Sequence, residues 1–410
     1  MRIARRQFIV SSVAAVLAGQ PALVRGETQK EAQQAAALAG NTASALGLVD
    51  TIEPILSIDT AYNLQLAIAN YEKFVAARGS WDLPTQETFG LQLGARRRAV
   101  GDLKRRLMIN GDMPLEERAS DKFDEVLDAA VKLFQARHGL SVSGQVDEAT
   151  FYALSVPTDY RLNQLRLNLQ RIEAMAATID DRYVVVNIPA ASIEAIEGGA
   201  VAQRHTAVVG RIDRQTPILK SQIHQINFNP FWNVPKSIIQ KDLIKYMNED
   251  PEYLTKFRIR IYDASGRELQ PTDIDWSTED AVNYDFRQDP GPDNSMGNVK
   301  INFSNPYAVY LHDTPTKGLF GENARFYSSG CVRVENVREF VAWVLVSNGN
   351  WDQPAIDAVF ASGERLDVVV KNPVPIHTTY ITAWANRQGT VSFRDDVYQF
   401  DAAGRVSFDA

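Results

Sequence analysis

The period of the apolar positions changes along this chain. From Asp59 to Val75 they recur at helical spacing, at Leu64, Leu66, Ile68, Tyr71, Phe74 and Val75, and the run stops at Gly79 before Trp81. Residues 95–154 then predict three helices joined by polar turns, VGDLKRRLMINGD, FDEVLDAAVKLFQARHGL and VDEATFYAL. The middle helix places Val126, Ala130, Val131 and Phe134 on one stripe and stops at Gly139, while Asp147 is positioned to cap the third. A further helix over 159–177 carries Leu162, Leu165, Leu169 and Ile172 on one stripe, with Arg161, Arg166 and Arg171 off it. It returns the chain to the N-terminal scaffold, so the three-helix segment reads as an insertion.

After Arg182 the period shortens. YVVVNIP, HTAVVG, HQINF, VKINF, AVYLH and LDVVV are short β-branched or aromatic runs bounded by Gly, Pro, Asn and Asp, which predict strands. Between them PKSIIQKDLIKYMNEDPEYLTKF is helical, interrupted near Pro251. The polar stretch DASGRELQPTDIDWSTEDAVNYDFRQDPGPDNSMG reads as a long loop, either a lid beside a site or a surface excursion. A small strand pair about Arg387-Gln388-Gly389 is expected in the tail. The fold class is multidomain α+β, with a helical N-terminal scaffold and three-helix module followed by a β-rich domain that carries a helical and loop insertion.

Composition narrows this picture only slightly. At 410 residues two or three domains are expected, and 45% apolar with 23% charged residues fits a globular chain. A formal net charge of −7 without a long basic run argues against nucleic-acid binding. The opening MRIARRQFIVSSVAAVLAG pairs a basic segment with an apolar run from Phe8 to Ala18 that is too short to span a bilayer. It predicts an export signal over 1–26, and the Ala-, Gln- and Thr-rich residues 27–47 predict a linker. Arg5-Arg6-Gln7-Phe8-Ile9 resembles a twin-arginine signal, with an ordinary secretory signal as the alternative. No later segment is long and apolar enough to cross a membrane, so a periplasmic protein without a membrane anchor after signal cleavage is expected.

Candidate chemistry concentrates between Leu311 and Val334. Cys331 is the only cysteine, so it is either an inert buried residue or a thiol kept for its reactivity. His312 ends an alternating strand and is the histidine nearest in sequence. Val332-Arg333-Val334 leads into the amphipathic ENVREFVAWVLV, whose N-terminus is expected to favour a thiolate, and Gly330 permits a tight turn with main-chain N–H groups facing an oxyanion. Asp313 follows His312 on a strand and points the other way, so a main-chain carbonyl is expected to orient the imidazole. His205, His224 and His377 lack the spacing of metal ligands. No metal or cofactor is expected.

Two resemblances enlarge this reading. LKRRL, then FDEVLDAAVKLFQARHGLSVSGQVDEATFYAL, resembles the three-helix peptidoglycan-binding module of bacterial wall enzymes. Tyr310-Leu311-His312-Asp313-Thr314-Pro315 with Tyr327-Ser328-Ser329-Gly330-Cys331-Val332-Arg333 resembles the active-site signature of the L,D-transpeptidases. Supporting stretches are Arg214-Gln215-Thr216-Pro217, Asn229-Pro230-Phe231-Trp232-Asn233-Val234-Pro235 and Arg287-Gln288-Asp289-Pro290-Gly291-Pro292. The arrangement is similar to the larger Gram-negative subgroup with a capping loop.

That resemblance implies a domain layout of scaffold over 48–94 with its return helix at 159–177, peptidoglycan-binding-like module over 95–156, catalytic domain over 180–375 with a capping insertion at 236–298, and a C-terminal extension over 376–410. It implies Cys331 as nucleophile, His312 as base, and the N–H groups of Gly330 and Cys331 as oxyanion donors. Ser329 stands where many members carry a second histidine. Arg333 is implied to hold a stem-peptide carboxylate, the alternative being an ion pair with Glu335 or Glu339. Ser329, Tyr310 and Tyr327 are further substrate-binding candidates, and Trp232 is expected to serve in packing. The implied activity is formation of 3→3 cross-links between peptidoglycan stem peptides through a cysteine thioester, with a tetrapeptide donor, a diaminopimelate acceptor and carbapenem sensitivity. The alternatives are an L,D-endopeptidase or hydrolase acting on peptidoglycan or wall-protein linkages, and a non-catalytic peptidoglycan-binding protein. Glycan strands are a candidate partner of the three-helix module.

Overall fold

The structure is a computed structural model that describes residues 47–78, 83–113 and 120–408. The export signal, all of the expected linker except Gly47, and the helix-ending Gly79 and Trp81 lie outside the described residues. The helices preceding the first strand are α1 (Ile58–Arg78), α2 (Arg98–Asn110), α3 (Glu125–Arg137), α4 (Glu148–Leu154) and α5 (Thr158–Ala176). The chain divides into two compact units. Described residues 47–50, 83–113, 120–136 and 142–155 form one, and 51–78, 137–141 and 156–408 the other.

In the first unit, three short helices need more than apolar contact to hold together. Leu103 and Leu107 of α2 are buried, and so are Leu127, Ala130, Val131 and Phe134 of α3. Val126, expected on that stripe, is 37% exposed instead. Leu127 takes its place because 127, 130, 131 and 134 complete the i, i+3, i+4, i+7 pattern. Gln135 is buried and fully used: its Nε2 donates to Gln145 O (2.8 Å) and Thr150 Oγ1 (3.0 Å), and its Oε1 accepts from Gly144 N–H (2.9 Å). Asp147 caps α4 by accepting from Thr150 N–H at 2.8 Å.

The second unit is built on a barrel. In chain order its strands are β1 (Arg182–Asn187), β2 (Ser192–Glu197), β3 (Ala200–Gly210), β4 (Leu219–Phe228), β5 (Trp232–Asn233), β6 (Ile259–Tyr262), β7 (Glu268–Leu269), β8 (Asp285–Gln288), β9 (Val299–Phe303), β10 (Leu311–His312), β11 (Phe326–Ser328), β12 (Val332–Val334), β13 (Leu366–Thr379), β14 (Ala383–Ala385) and β15 (Val391–Phe393). Neighbours run β3-β12-β10-β9-β4-β13-β1-β2, and β2 pairs back onto β3, so the ring closes and leaves no edge; β11 attaches to β3 from outside it. The core includes Val184, Val186, Ile193, Ile226, Ile301, Leu311, Val332 and Ile376, packed with helix residues Phe340, Val341 and Val344.

Two cores explain why β1 is apolar from Tyr183 to Val186: Val184 and Val186 enter that core, whereas Tyr183 and Val185 enter a second one with Leu64, Ile68, Leu162, Leu165 and Ile172 of α1 and α5. The β14–β15 pair forms about the expected turn and contributes Ala383, Val391 and Phe393 to the second core. Arg161 and Arg171, expected off the apolar stripe of α5, are buried. The C-terminal segment accounts for both. Arg161 lies 4.6 Å from the Phe393 ring centre, and Arg171 pairs with Asp401 at 2.5 Å.

Residues 232–288 fold about a separate core of Val234, Ile239, Leu243, Met247, Leu254, Ile261 and Phe286 beneath a small sheet of order β5-β8-β6-β7. Part of this sheet was expected to be loop. Its strands are too short to print a period, and the turn before β7 is held by Asp263, whose carboxylate accepts from the N–H groups of Ser265 (2.9 Å) and Arg267 (3.1 Å). No described helix is long and apolar enough to cross a membrane.

Candidate active site

The parallel pairing of β10 with β12 assembles the site. Leu311 stands beside Val332 and His312 beside Arg333, and Val332 N–H donates to Tyr310 O at 3.0 Å. Successive side chains on a strand alternate faces. Leu311, Val332 and Val334 therefore enter the barrel core, which leaves Tyr310, His312, Cys331 and Arg333 on the opposite face. Antiparallel β9 places Lys300 beside His312 while Ile301 enters the core beside Leu311. Lys300 Nζ lies 4.4 Å from the Tyr310 ring centre, and the Tyr310 and His312 rings meet edge to face at 5.7 Å.

Tyr310 is the hub of this face. Its hydroxyl stands within electrostatic reach of Cys331 and Trp232. Trp232, expected to serve in packing, packs against the insertion core and also lies beside this hydroxyl. Asp313 points away: its carboxylate pairs with Lys317 and accepts from Asn298 N–H at 3.0 Å.

Electrostatics follow from burial among cations. Burial first, then the Arg333 charge, hold the His312 imidazole down at about 3, with Lys300 and Lys317 acting the same way and the main chain of Asp313 opposing them. Burial also pushes the Cys331 thiol up, against hydrogen bonds from the Tyr310 main chain and hydroxyl and the charges of Lys300 and Arg333. The expected thiolate-favouring helix does not follow Cys331 directly. Strand β12 comes next, and helix α6 (Val337–Val344) begins only after Asn336, which adopts a left-handed conformation. Near neutral pH the face thus holds a neutral imidazole and a protonated thiol.

The turn before Cys331 is held through its main chain. Gly330 sits at φ +113°, a conformation that favours glycine. Its N–H, expected to face an oxyanion, donates to Ser328 Oγ at 3.1 Å, and Ser328 Oγ donates to Cys331 O at 2.5 Å. Among the described residues no acceptor stands against Cys331 N–H. Ser329 accepts from Arg214 Nη1 at 2.8 Å, and Arg214 also forks onto Asp242 of the insertion, with Nη2 to Oδ1 at 2.9 Å.

Of the residues picked from sequence, the structure brings together Tyr310, His312, Cys331 and Arg333. Arg333 pairs with no carboxylate among the described residues, and its buried Nε, like His312 Nδ1, has no hydrogen-bond partner among them. Tyr327 is 44% exposed on β11, one strand removed from β12. Sequence reasoning missed Lys300 and Asp242. In VKINF the alternation alone puts Lys300 opposite the core residues Val299 and Ile301; Asp242 has no such signal, because its partner lies 28 positions away.

The β-barrel domain that carries this array is similar to the catalytic domain of the L,D-transpeptidases. Residues 181–376 match that family, also called YkuD, and residues 96–154 match the family described as "Putative peptidoglycan binding domain". The chain thus combines a YkuD L,D-transpeptidase catalytic domain with a peptidoglycan-binding domain. It is similar to a Haemophilus influenzae protein named "Putative L,D-transpeptidase", at 33% identity over 252 residues, covering 60% of this chain and 50% of the relative. The chain therefore spans about half the length of that relative. Similar solved structures include an L,D-transpeptidase from Xylanimonas cellulosilytica (14% identity, TM-score 0.24, covering 71% of this chain and 98% of that one). Another is from Stackebrandtia nassauensis (13% identity, TM-score 0.26, covering 73% and 97%).

Proposed function

We propose that this protein is a peptidoglycan L,D-transpeptidase that forms 3→3 cross-links through a thioester on Cys331. The observation that carries the reading is the single strand-pair face holding Cys331 and a neutral His312 among Tyr310, Lys300 and Arg333. A neutral imidazole is the form that accepts a proton. Attack of Cys331 Sγ on the carbonyl before the terminal D-alanine of a donor tetrapeptide forms the S–C bond as the thiol proton passes to His312. Collapse breaks the C–N bond, His312 returns the proton to the leaving amine, and D-alanine departs. A diaminopimelate side-chain amine then attacks the thioester carbonyl and expels the sulfur, which regains a proton.

Cys331 N–H supplies the oxyanion donor in this scheme; Gly330 N–H joins it only if it leaves Ser328 Oγ. Arg333 and Lys300 place positive charge near the developing anion. The insertion over 236–298 acts as a cap that keeps water from the acyl-enzyme, and the module over 95–156 holds the enzyme to glycan strands. This reaction belongs in the periplasm, reached through the export signal over 1–26 by the twin-arginine or the general secretory route.

Intact-mass measurement after incubation with a carbapenem tests the nucleophile. One covalent adduct is expected on the parent chain and none on Cys331→Ser. A folded parent chain that stays unmodified defeats the assignment. Digestion of purified muropeptides then separates transfer from hydrolysis, since only transfer yields 3→3 dimers.

A further inference from the structure

An opening lies beside the catalytic turn. It is a cleft of about 410 Å³ bordered by Gln215, Tyr307, the Ser329–Gly330 turn, Phe400, Arg405 and Phe408. None of Tyr310, His312, Cys331 or Arg333 lines it, yet its wall includes the residue immediately before Cys331.

The cleft has a fixed floor and a solvent-exposed cation on its rim. On the floor, Thr216 Oγ1 donates to Gly330 O at 2.9 Å, while the Tyr398 hydroxyl donates to Gly210 O at 2.6 Å and accepts from Thr216 N–H at 3.2 Å. On the rim, the guanidinium of Arg405 lies 4.4 Å from the ring centre of Phe400 and 5.1 Å from that of Phe408. The main chain behind it is anchored, because Arg405 O accepts from buried Arg171 through Nε (2.9 Å) and Nη2 (2.6 Å). No carboxylate among the described residues pairs with the Arg405 side chain. A guanidinium stacked on rings keeps its planar fork free for two parallel hydrogen bonds and loses little further entropy on capturing a planar anion. The exposed ring of Tyr307 gives aliphatic groups of the same ligand a surface to cover.

We propose that this cleft is a peptide subsite that reads a carboxylate, with Arg405 as its receptor. The proposal rests on the reading above that the domain acts on stem peptides, which carry free carboxylates on the γ-linked glutamate, the diaminopimelate and the terminal D-alanine. The C-terminal extension thereby contributes to substrate selection, and a peptide held at Arg405 runs along the Ser329–Gly330 turn toward Cys331.

The test uses the full chain carrying Cys331→Ala, so that nothing is consumed, titrated calorimetrically with L-Ala–γ-D-Glu–diaminopimelate–D-Ala and with its three single amides. Arg405→Gln is expected to raise Kd roughly 5- to 10-fold, the size of one charge-assisted fork at a partly exposed site. One of the amides is expected to bind the Cys331→Ala chain more weakly by the same factor and to lose nothing further on the Arg405→Gln chain. Arg405→Lys, which keeps the charge without the fork, falls between. Unchanged Kd for all four peptides on both Arg405 variants overturns the proposal, as does absence of peptide binding by the Cys331→Ala chain. Carbapenem acylation of the chain with Cys331 intact separates the two readings. An unreactive Cys331 with Arg405-dependent binding defeats the transpeptidase assignment and keeps the subsite; a reactive Cys331 with Arg405-indifferent binding does the reverse.

Discussion

Arg214 ties Asp242 of the insertion to Ser329 of the catalytic turn: its guanidinium forks onto the Asp242 carboxylate and also donates to Ser329 Oγ at 2.8 Å. Asp242 lies on a π-helical turn, Ile239–Leu243, whose Ile239 and Leu243 point into the insertion core. One side chain therefore couples two segments that otherwise fold around separate cores.

This bridge predicts a local effect. Both partners are mostly buried, and a forked, charge-assisted pair there contributes about 1–2 kcal/mol. Asp242→Ala should speed amide hydrogen exchange over residues 236–249 by roughly tenfold, leaving exchange in the barrel strands unchanged. Exchange in that segment at the parent rate means the bridge holds nothing.

The buried pair of Arg171 with Asp401 has a larger consequence. Asp401 also accepts from Thr382 Oγ1 at 2.6 Å, yet burial still pushes its carboxyl above the usual range. Arg171→Met removes the partner and leaves an uncompensated carboxyl, at a cost of about 3–5 kcal/mol. Urea denaturation should show that loss and should recover most of it in Arg171→Met combined with Asp401→Leu. A loss under 1 kcal/mol for the single change contradicts the role given to the pair.

How much was legible in the sequence depends on the range of the signal. Helices α2 to α5 printed a local period and β1, β3, β4, β9, β10 and β13 printed β-branched runs, whereas β2 and β12 did not; Cys331 with His312 stood out because both lie in one motif. Val126 was misplaced because two overlapping stripes on α3 share Ala130, Val131 and Phe134, and only packing selects Leu127. The buried arginines of α5 were unreadable for another reason: their partners, such as Asp401, lie 230 positions away, and charge on a helix ordinarily marks its solvent face. The state of the Cys331 thiol was misjudged through local reasoning too. A following helix was visible, but the strand that separates them was not.

Three depressed histidines make stability pH-dependent with a definite sign. Burial holds His312 down at about 3 and His377 at about 4, and lowers His205 as well. Between these values and 6.5 the unfolded chain takes up protons that the folded chain refuses, so stability is complete above 6.5 and declines as pH falls. Each such group contributes a slope of up to about 1.4 kcal/mol per pH unit. His377 lies away from the candidate site, so His377→Gln isolates one share. Urea denaturation between pH 5 and 6 should show a shallower decline for the variant, and equal slopes would refute the assignment.

Tyr310→Phe tests whether the thiol depends on its neighbour. The hydroxyl lies beside Cys331 and favours its thiolate, and removing it leaves the thiolate with Lys300, Arg333 and the Tyr310 main chain as its stabilisers. A hydrogen bond to a charged group contributes about 1.5–3 kcal/mol, so the thiol should become harder to ionise and its acylation slower by roughly 10- to 100-fold. Iodoacetamide alkylation followed against pH reads the ionisation directly. For Tyr310→Phe the rise in rate should begin at higher pH, while the limiting rate at high pH stays close to that of the parent, because the intrinsic reactivity of the thiolate is not reduced. A reduced limiting rate with an unshifted profile would instead make Tyr310 a positioning residue for the sulfur. An unchanged profile and rate would remove it from the mechanism altogether and return the whole burden of activating Cys331 to His312 and the two cations.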